Sequence, residues 1–257
     1  MPGASDKIIA ALERYGFEWH GKIRYQSDSR TAHEAALAAL SDRGQAYRCG
    51  CSRRMLTTVK SGPLGSIYPG TCRGGTEATD YAWRVRTTSE PLGFEDRLQG
   101  RLVQRLESES GDFIVLRRDG LIAYHLAVVV DDYLQGVTEI VRGIDLLDST
   151  PRQIHLQRLL GYPTPDYSHI PVAVNQEGQK LSKNTGANEI PLIGVRSTLV
   201  SALRVLGQQP PADLQAASLD DIWKWAAEHW HIDVLRNQTE LPPSGPSLAK
   251  NSLTSGA

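Results

Sequence analysis

All three cysteines of this chain lie between positions 49 and 72, in a segment too rich in turn residues to form one helix or one strand. Cys49 and Cys51 are separated by a single residue, and Tyr68 stands four positions before Cys72. The same segment carries Gly62, Pro63, Gly65, Pro69 and Gly70. Glycine and proline at this density favour loops. We therefore expect a loop-rich segment with little core of its own.

Cysteines clustered in this way can bind a metal. Zinc prefers four ligands in a tetrahedron and favours thiolates in structural sites. Cys49, Cys51 and Cys72 supply three ligands, and no histidine lies between positions 42 and 84. Tyr68 is the nearest side chain with a ligating oxygen, and water competes with it for the fourth position. The alternative is three free cysteines in a surface loop, which the clustering disfavours.

The composition excludes several classes of protein. The net charge is −1, so global charge does not indicate a nucleic-acid-binding protein. The most apolar run, "LIAYHLAVVV", ends at position 130 and is shorter than the ~20 residues of a membrane span. We interpret that run as a buried strand or as the entry from a strand into a helix. The N-terminus has no apolar signal region, so we expect a cytoplasmic protein without membrane contact.

Helical and strand patterns alternate along the chain, which predicts an α/β fold with a mostly parallel sheet. The helical patterns cover 5–16, 29–44, 148–161, 197–207 and 218–230. Strand patterns cover 81–88 and 137–143, and a short apolar strand begins at position 169. The segment 113–132 is predicted as a strand, an Asp-Gly turn and then the apolar run. The last helix has a predicted capping box at Ser218 and Asp221. We expect Trp223, Trp225 and Trp230 to belong to the core. From position 237 the polar, Pro- and Ser-containing tail, 237–257, is predicted to be disordered.

Three segments carry a family resemblance. They are "YHLAVVVDD" from Tyr124, "RGIDLLDSTPRQIHLQRLLG" from Arg142 and "KLSKNTG" from Lys180. In this order and spacing they resemble the glutamyl-tRNA synthetase family of class I aminoacyl-tRNA synthetases, over nearly the whole chain. The resemblance implies a Rossmann-like catalytic domain over 1–236, with a zinc-bearing insertion at about 45–110 and a helical C-terminal part.

The resemblance also implies which residues act. "KLSKN" looks like the family's KMSKS loop, with Lys183 as the lysine that contacts ATP and Lys180 beside it as a catalytic residue. A mobile ammonium can follow phosphate charge during phosphoryl chemistry. A solvated basic turn is the alternative for such a pair. We also expect Mg²⁺ with the ATP.

Arg142 and Tyr124 are implied to bind glutamate, because an arginine fork can hold a carboxylate through two hydrogen bonds. A structural ion pair is the alternative for Arg142, and core packing is the alternative for Tyr124. Asp131 and Asp132 either bind magnesium or fix backbone and helix geometry. His125 is given no role.

The resemblance extends to the cysteine segment. Cys49, Cys51, Tyr68 and Cys72 match a zinc-ligand set of a short paralogue within the family, which implies one structural zinc ion. Nearby, Arg53, Arg54, Lys60 and Arg73 form either a basic patch for RNA or an ordinary solvated surface.

For the short paralogue, the implied reaction is ATP-dependent activation of glutamate and transfer of the glutamyl group to queuosine in the anticodon loop of tRNA(Asp). A truncated glutamyl-tRNA synthetase that charges tRNA(Glu) is one alternative. A non-catalytic, zinc-containing RNA-binding remnant is the other. We expect a monomer.

Two parts of the family pattern have no match in this sequence. One is the anticodon-binding domain, whose absence fits the short paralogue. The other is the N-terminal unit with the HIGH-equivalent loop and an acidic strand. We therefore expect an N-terminally truncated reading frame, with Met1 as a mis-assigned start, and weak adenylation of glutamate by the chain as written.

Overall fold

The protein is described by a computed structural model that covers residues 3–52, 54–57, 59–62, 65–182 and 189–241. The chain divides into two compact units, Ile23–His169 and a second unit formed by Met1–Lys22 with Ile170–Ala257. The first unit carries both the cysteine segment and Arg142. The second carries Lys180. No helix in the described part of the chain is long and apolar enough to cross a membrane.

Helices and strands alternate as an α/β chain requires. The α-helices are α1 (Ala4–Arg14), α2 (Arg30–Asp42), α3 (Leu106–Glu109), α4 (Tyr124–Leu134), α5 (Thr150–Leu160), α6 (Val195–Val205) and α7 (Leu219–Glu228). The strands are β1 (Ala46–Cys49), β2 (Ser61–Gly62), β3 (Gly65–Ser66), β4 (Ala82–Val85), β5 (Leu92–Asp96), β6 (Gly100–Gln104), β7 (Phe113–Leu116), β8 (Glu139–Gly143), β9 (Asp166–Ile170), β10 (Val172–Ala173) and β11 (Glu240–Leu241).

The prediction of a mostly parallel sheet is wrong for the described strands. A three-stranded sheet in the order β1-β4-β7 is antiparallel throughout. A four-stranded sheet has the order β6-β5-β9-β8, in which β5 pairs antiparallel with β6 and parallel with β9. A short loop joins β5 to β6, and such a loop can connect only antiparallel neighbours. The parallel pairing of β5 with β9 brings Asp96 opposite Tyr167.

The apolar run that ends at position 130 is the entry into a helix, which is one of the two predicted alternatives, and most of it belongs to α4. Ala123 has extended backbone, and the helix begins at Tyr124. Leu126, Val129 and Val130 are buried in the main core. Valines favour strands by propensity, but burial against neighbouring elements overrides such weak preferences. Because an apolar run of this length suits either element when both faces are covered, its pattern alone did not decide between them.

The main core lies in the first unit. It gathers apolar side chains from α2, the three-stranded sheet, α4 and α5. Its buried members are Ala36, Leu37, Leu40, Ala46, Val85, Phe113, Val115, Leu126, Val129, Val130 and Leu156. This core fixes the helices and strands from which the functional side chains project.

The second unit has its own apolar cluster between α6 and α7, with Val200, Leu203, Leu214, Ile222 and Ala226 buried. The predicted cap of α7 is confirmed, since Ser218 Oγ accepts from the backbone N–H of Asp221 at 3.1 Å. At the start of α1, by contrast, Gly3 occupies the cap position and no side chain caps the helix.

Two of the three tryptophans pack as predicted. Trp223 donates from Nε1 to the carbonyl of Tyr15 at 2.8 Å, and Trp225 packs against the α6–α7 cluster. Trp230 is 40% exposed, so its assignment to the core is wrong. It follows the end of α7, where the chain has left the apolar cluster.

The start of the predicted tail needs a correction. Glu240–Leu241 forms β11, which pairs parallel with β10. The predicted disorder therefore begins no earlier than residue 242, and residues 242–257 lie outside the described part of the chain. The domain boundaries given above stay a prediction.

Candidate functional site

The structure brings the predicted metal ligands together. The three cysteine sulfurs lie within 4.8 Å of one another, and the Sγ atoms of Cys51 and Cys72 are 3.6 Å apart. The Tyr68 hydroxyl lies 3.3 Å from Cys49 Sγ and 3.6 Å from Cys51 Sγ. A tetrahedral ion with metal–sulfur bonds of about 2.3 Å would hold its sulfurs about 3.8 Å apart. The donor set therefore fits a zinc ion.

Two glycines permit this close approach. Gly50 stands between two of the cysteines, and a Cβ there would lie 2.5 Å from that of Ala78. Gly111 has φ +65°, and a Cβ there would lie 2.4 Å from the backbone oxygen of Tyr68. Any larger residue at either place would push the loop away. The turn-rich composition that the sequence shows is thus a steric requirement of the cluster.

Arg84 lies behind the cysteine cluster. Its Nε donates to Cys49 Sγ at 3.3 Å, and its guanidinium carbon lies 3.9 Å from the centre of the Tyr68 ring. Burial opposes ionisation of Cys49. Hydrogen bonds from Tyr68, the Cys51 backbone and Arg84 outweigh burial, so the pKa of Cys49 falls below its usual value. Burial raises the pKa of Cys51 and of Tyr68. The site therefore already favours one thiolate.

A buried charge network supports the cysteine segment. Asp112 accepts hydrogen bonds from Nε and Nη2 of Arg73, each at 2.7 Å. It also accepts from the Tyr47 hydroxyl at 2.5 Å and from the backbone N–H of Thr87 at 2.8 Å. Burial opposes ionisation of Asp112, but these bonds outweigh it and hold its pKa below the usual range.

This network corrects one member of the predicted basic patch. Arg73 follows Cys72 directly and pairs with Asp112 and Glu107, so it is engaged inside the protein. Arg54 and Lys60 are exposed, while Arg53 lies outside the described residues. The sequence could not show this pairing, because the partners are separated by more than thirty positions.

Arg142 lies at the end of β8, as predicted, and three neighbours fix its guanidinium. Nε donates to His169 Nε2 at 3.0 Å, and Nη2 donates to Thr150 Oγ1 at 2.8 Å. Its guanidinium carbon lies 5.3 Å from the centre of the Tyr167 ring. Among the described residues, none accepts a hydrogen bond from its Nη1. An oriented cation with a remaining donor can bind a carboxylate.

Tyr124 is the second residue implied to bind glutamate. It begins α4 and is 47% exposed. The exposure of Tyr124 disfavours the core-packing alternative.

The two aspartates at the end of "AVVVDD" differ. Asp131 accepts from Gln26 Nε2 at 3.1 Å, and its other oxygen lies 2.8 Å from His33 Nε2. These contacts tie α4 to α2 and match the structural alternative. Burial raises the pKa of Asp132, while Arg142 opposes that rise. A role in binding magnesium stays a prediction.

His125 follows Tyr124 and is a half-buried base. Burial, and then the positive charges of Arg152 and Arg142, lower its pKa to about 4. Its Nδ1 has no hydrogen-bond partner within the described ranges of the chain, and neither does Nε of Arg152. Burial and the two positive charges thus favour the neutral imidazole. Arg152 carries no signal in the sequence, because its pattern is that of an ordinary helix residue.

The predicted ATP loop lies mostly outside the described residues. The backbone N–H of Gln179 donates to Asn175 Oδ1 at 2.7 Å and closes a turn. The backbone of Lys180 then forms an antiparallel bridge with that of Val174. Lys183 is among the residues that the structure does not describe. The roles of Lys180 and Lys183 stay predictions.

Comparison with known proteins defines the class. Residues 1–215 match the family model described as "tRNA synthetases class I (E and Q), catalytic domain". The chain belongs to this family of class I aminoacyl-tRNA synthetases. The α/β class and the Rossmann-like synthetase fold predicted from the sequence are thereby confirmed.

Curated relatives narrow the comparison further. The chain is 48% identical to the glutamyl-Q tRNA(Asp) synthetase of Aromatoleum aromaticum, over 99% of this chain and 82% of that protein. It is also 48% identical to the glutamyl-Q tRNA(Asp) synthetase of Dechloromonas aromatica, over 93% of this chain and 81% of that protein.

Solved structures agree at the level of the fold. The glutamate-tRNA synthetase of Elizabethkingia anophelis superposes with a TM-score of 0.73 over 95% of this chain, at 19% identity. The chain spans 59% of that longer protein. At this identity the match supports the fold alone.

Proposed function

We propose that this chain is a ligase that activates glutamate with ATP and transfers the glutamyl group to queuosine in the anticodon loop of tRNA(Asp). The observation that carries the proposal is 48% identity over 99% of the chain with a relative named glutamyl-Q tRNA(Asp) synthetase. The oriented guanidinium of Arg142 supports it independently, because it suits an amino-acid substrate that carries two carboxylates.

Two chemical steps follow. A carboxylate oxygen of glutamate attacks the α-phosphorus of ATP, the bond to the bridging oxygen breaks, and pyrophosphate leaves with its electron pair. A hydroxyl of the queuosine cyclopentenediol then attacks the glutamyl carbonyl, loses its proton and releases AMP. Arg142 and Tyr124 would hold glutamate in line for the first step. Lys183, with Lys180 beside it, would stabilise charge on the phosphates. Mg²⁺ would accompany the ATP.

A zinc ion at Cys49, Cys51, Tyr68 and Cys72 would have a structural role. The closed set of four donors leaves no position for substrate, which is typical of structural rather than catalytic zinc. The ion would hold together a loop-rich segment that buries few apolar side chains. A monomeric state and a cytoplasmic location remain part of the proposal.

ATP–pyrophosphate exchange tests the first step. The full chain is incubated with ATP, labelled pyrophosphate and either glutamate or glutamine, and Arg142→Gln serves as the matched variant. We expect exchange with glutamate, little with glutamine, and at least a tenfold loss in the variant, since a hydrogen bond to a charged group contributes roughly 1.5–3 kcal/mol. Equal exchange with both amino acids would contradict the assignment of Arg142.

Transfer to RNA tests the second step. Labelled glutamate is offered with tRNA(Asp) that carries queuosine, with tRNA(Asp) that lacks it, and with tRNA(Glu). Label on queuosine-containing tRNA(Asp) alone is the expected result. Charging of tRNA(Glu) would favour an ordinary glutamyl-tRNA synthetase. RNA binding without exchange would favour the non-catalytic remnant.

A further inference from the structure

A line of buried polar side chains leads from β5 through β9 to Arg142. Asp96 ends β5 and His169 lies in β9, and the side chains of both residues are fully buried. Asp96 Oδ2 lies 2.6 Å from His169 Nδ1, and His169 Nε2 lies 3.0 Å from Arg142 Nε. The strands are neighbours because β5 pairs parallel with β9. The line therefore links a buried carboxylate to the cation proposed to bind substrate.

The geometry fixes the position of the histidine proton. Arg142 Nε can only donate, so His169 Nε2 must accept. The imidazole is then neutral and carries its proton on Nδ1, which donates a hydrogen bond to Asp96 Oδ2. Burial lowers the pKa of His169 in spite of the nearby carboxylate, which is consistent with a neutral ring. Protonation of Nε2 would set two donors against each other at 3.0 Å.

Asp96 is itself held in one orientation. Its Oδ1 accepts from the backbone N–H groups of Leu98 at 3.0 Å, Gln99 at 2.9 Å and His169 at 3.2 Å. Oδ2 is therefore the oxygen that faces the imidazole. These bonds outweigh the cost of burial and lower the pKa of Asp96. The carboxylate stays charged and cannot rotate without losing three hydrogen bonds.

We propose that Asp96 and His169 are positioning residues that orient Arg142 for a substrate carboxylate. The inference rests on the proposed function, because that function assigns Arg142 to glutamate. His169 and Thr150 engage Nε and Nη2 of Arg142, and the Tyr167 ring lies beside its guanidinium. The guanidinium plane is thus fixed before substrate arrives, and Nη1, which has no acceptor among the described residues, remains for a ligand. Neither Asp96 nor His169 needs to contact the substrate.

The sharpest variant is Asp96→Asn. An asparagine would keep its oxygen towards the three backbone N–H groups and turn its NH₂ group towards His169 Nδ1. That nitrogen would then have to accept, which moves the ring proton to Nε2 and opposes the Arg142 N–H. A similar tautomer change is known to disable the histidine of serine proteases when the neighbouring aspartate is replaced by asparagine. Asp166→Asn is the matched control, since Asp166 is exposed at the start of the same strand.

Two measurements test the proposal on the full chain. Imidazole ¹⁵N chemical shifts report the tautomer of His169, and we expect Nδ1–H in the wild type and in Asp166→Asn, but Nε2–H in Asp96→Asn. Pyrophosphate exchange reports the KM for glutamate. We expect it to rise about 10- to 100-fold in Asp96→Asn, with a smaller change in kcat, because a hydrogen bond to a charged group is weakened.

A second pair of variants separates positioning from general stability. His169→Gln can place an amide oxygen near the position of Nε2 and accept from Arg142. His169→Asn can keep the bond to Asp96 but does not reach Arg142. We expect glutamine to retain more affinity for glutamate than asparagine does. Equal KM values for the two variants would contradict the proposal, because a merely structural histidine does not distinguish them in this way.

The outcomes separate this inference from the proposed function. If the wild type exchanges with glutamate and Asp96→Asn has an unchanged KM, or if wild-type His169 carries its proton on Nε2, the positioning role is overturned and the function stands. If the wild type does not exchange, the proposed function fails for this chain. The Arg142 Nε–H resonance then decides: a shift on adding glutamate that Asp96→Asn lacks retains the positioning role, and no shift in the wild type overturns it.

Discussion

Two buried aspartates, Asp112 and Asp96, are each surrounded by hydrogen-bond donors, yet their surroundings lead to different conclusions. Asp112 is 1% exposed and accepts hydrogen bonds from both Nε and Nη2 of Arg73, so the adjacent guanidinium compensates its negative charge. Asp96 is 3% exposed and meets a neutral histidine and backbone N–H groups. Its line of hydrogen bonds ends only at Arg142. The first network is closed, and the second is open at one end.

The two kinds of network have different consequences for the protein. A closed network satisfies every charge within the fold and stabilises the segment that contains it. An open network fixes a charged group and leaves part of its hydrogen-bonding capacity for something else. Nη1 of Arg142 has no acceptor in the part of the chain that the structure describes, whereas Nε, Nη1 and Nη2 of Arg73 all have acceptors. This open end of the Asp96 network therefore agrees with the proposed role of Arg142 in binding glutamate.

Removal of metal from the cysteine segment, which the closed Asp112 network supports, should have the largest effect on stability. A chelator, or Cys72→Ala, is expected to remove one zinc ion per chain and to lower Tm by about 10 °C or more, because the cysteine segment has few apolar contacts to replace the ion. Metal content and thermal unfolding are measured together. Unchanged protease resistance of the cysteine segment after chelation would mean that the Asp112 network holds it alone.

Breaking the closed network itself should have the next largest effect. Asp112→Ala leaves Arg73 without its buried partner, and loss of one member of such a pair costs about 3–5 kcal/mol. Urea unfolding measures the change in the free energy of unfolding. Asp119→Ala is the control, since the exposed pair of Asp119 with Arg117 should contribute no more than about 1 kcal/mol. Similar losses in both variants would show that the buried pair of Asp112 with Arg73 is no stronger than the exposed pair of Asp119 with Arg117.

The free energy of unfolding should fall in acid, because the folded protein keeps His125 neutral. His125 has a pKa of about 4 in the folded protein, against 6.5 as its ordinary value. Between these values the unfolded chain takes up a proton that the folded chain does not. The stability that His125 contributes is complete above pH 6.5 and is lost as pH falls towards 4, by up to about 3 kcal/mol.

The matched variant for this pH effect is His125→Asn. We expect a shallower loss of stability between pH 6.5 and 4, measured by urea unfolding across that range. Some slope should remain, because burial also lowers the pKa of His155 and His169. An identical slope in wild type and variant would show that folding does not lower the pKa of His125.

The smallest effect should come from a local, exposed contact. Ser218→Ala removes the confirmed cap of α7 and should cost about 1 kcal/mol. Ser218→Asn is the conservative control, since asparagine caps helices about as well as serine. If the cap proved as important as Asp112, burial of a hydrogen bond would not be what makes its loss costly.

The sequence determined the class of this protein and most of the elements that carry the site. Short-range patterns and motifs suffice for such features: the cysteine spacing, the strand that ends at Arg142, the helix that begins with "TPRQ" and the Ser218 cap all depend on neighbours along the chain. The family resemblance followed from the same local segments, and the match over residues 1–215 confirms it.

Only the tertiary structure decided what lies opposite each polar side chain. By sequence, Arg73 fits a basic surface, but in the structure it pairs with Asp112. The apolar run before Asp131 fits a buried strand as well as a helix entry, and its packing makes it a helix. Asp96 and His169 gave no signal at all, because each is one polar residue in a strand. The physical reason is that hydrogen bonds and burial depend on distance in space. Asp96 meets His169, and His169 meets Arg142, only because separate strands fold into one sheet.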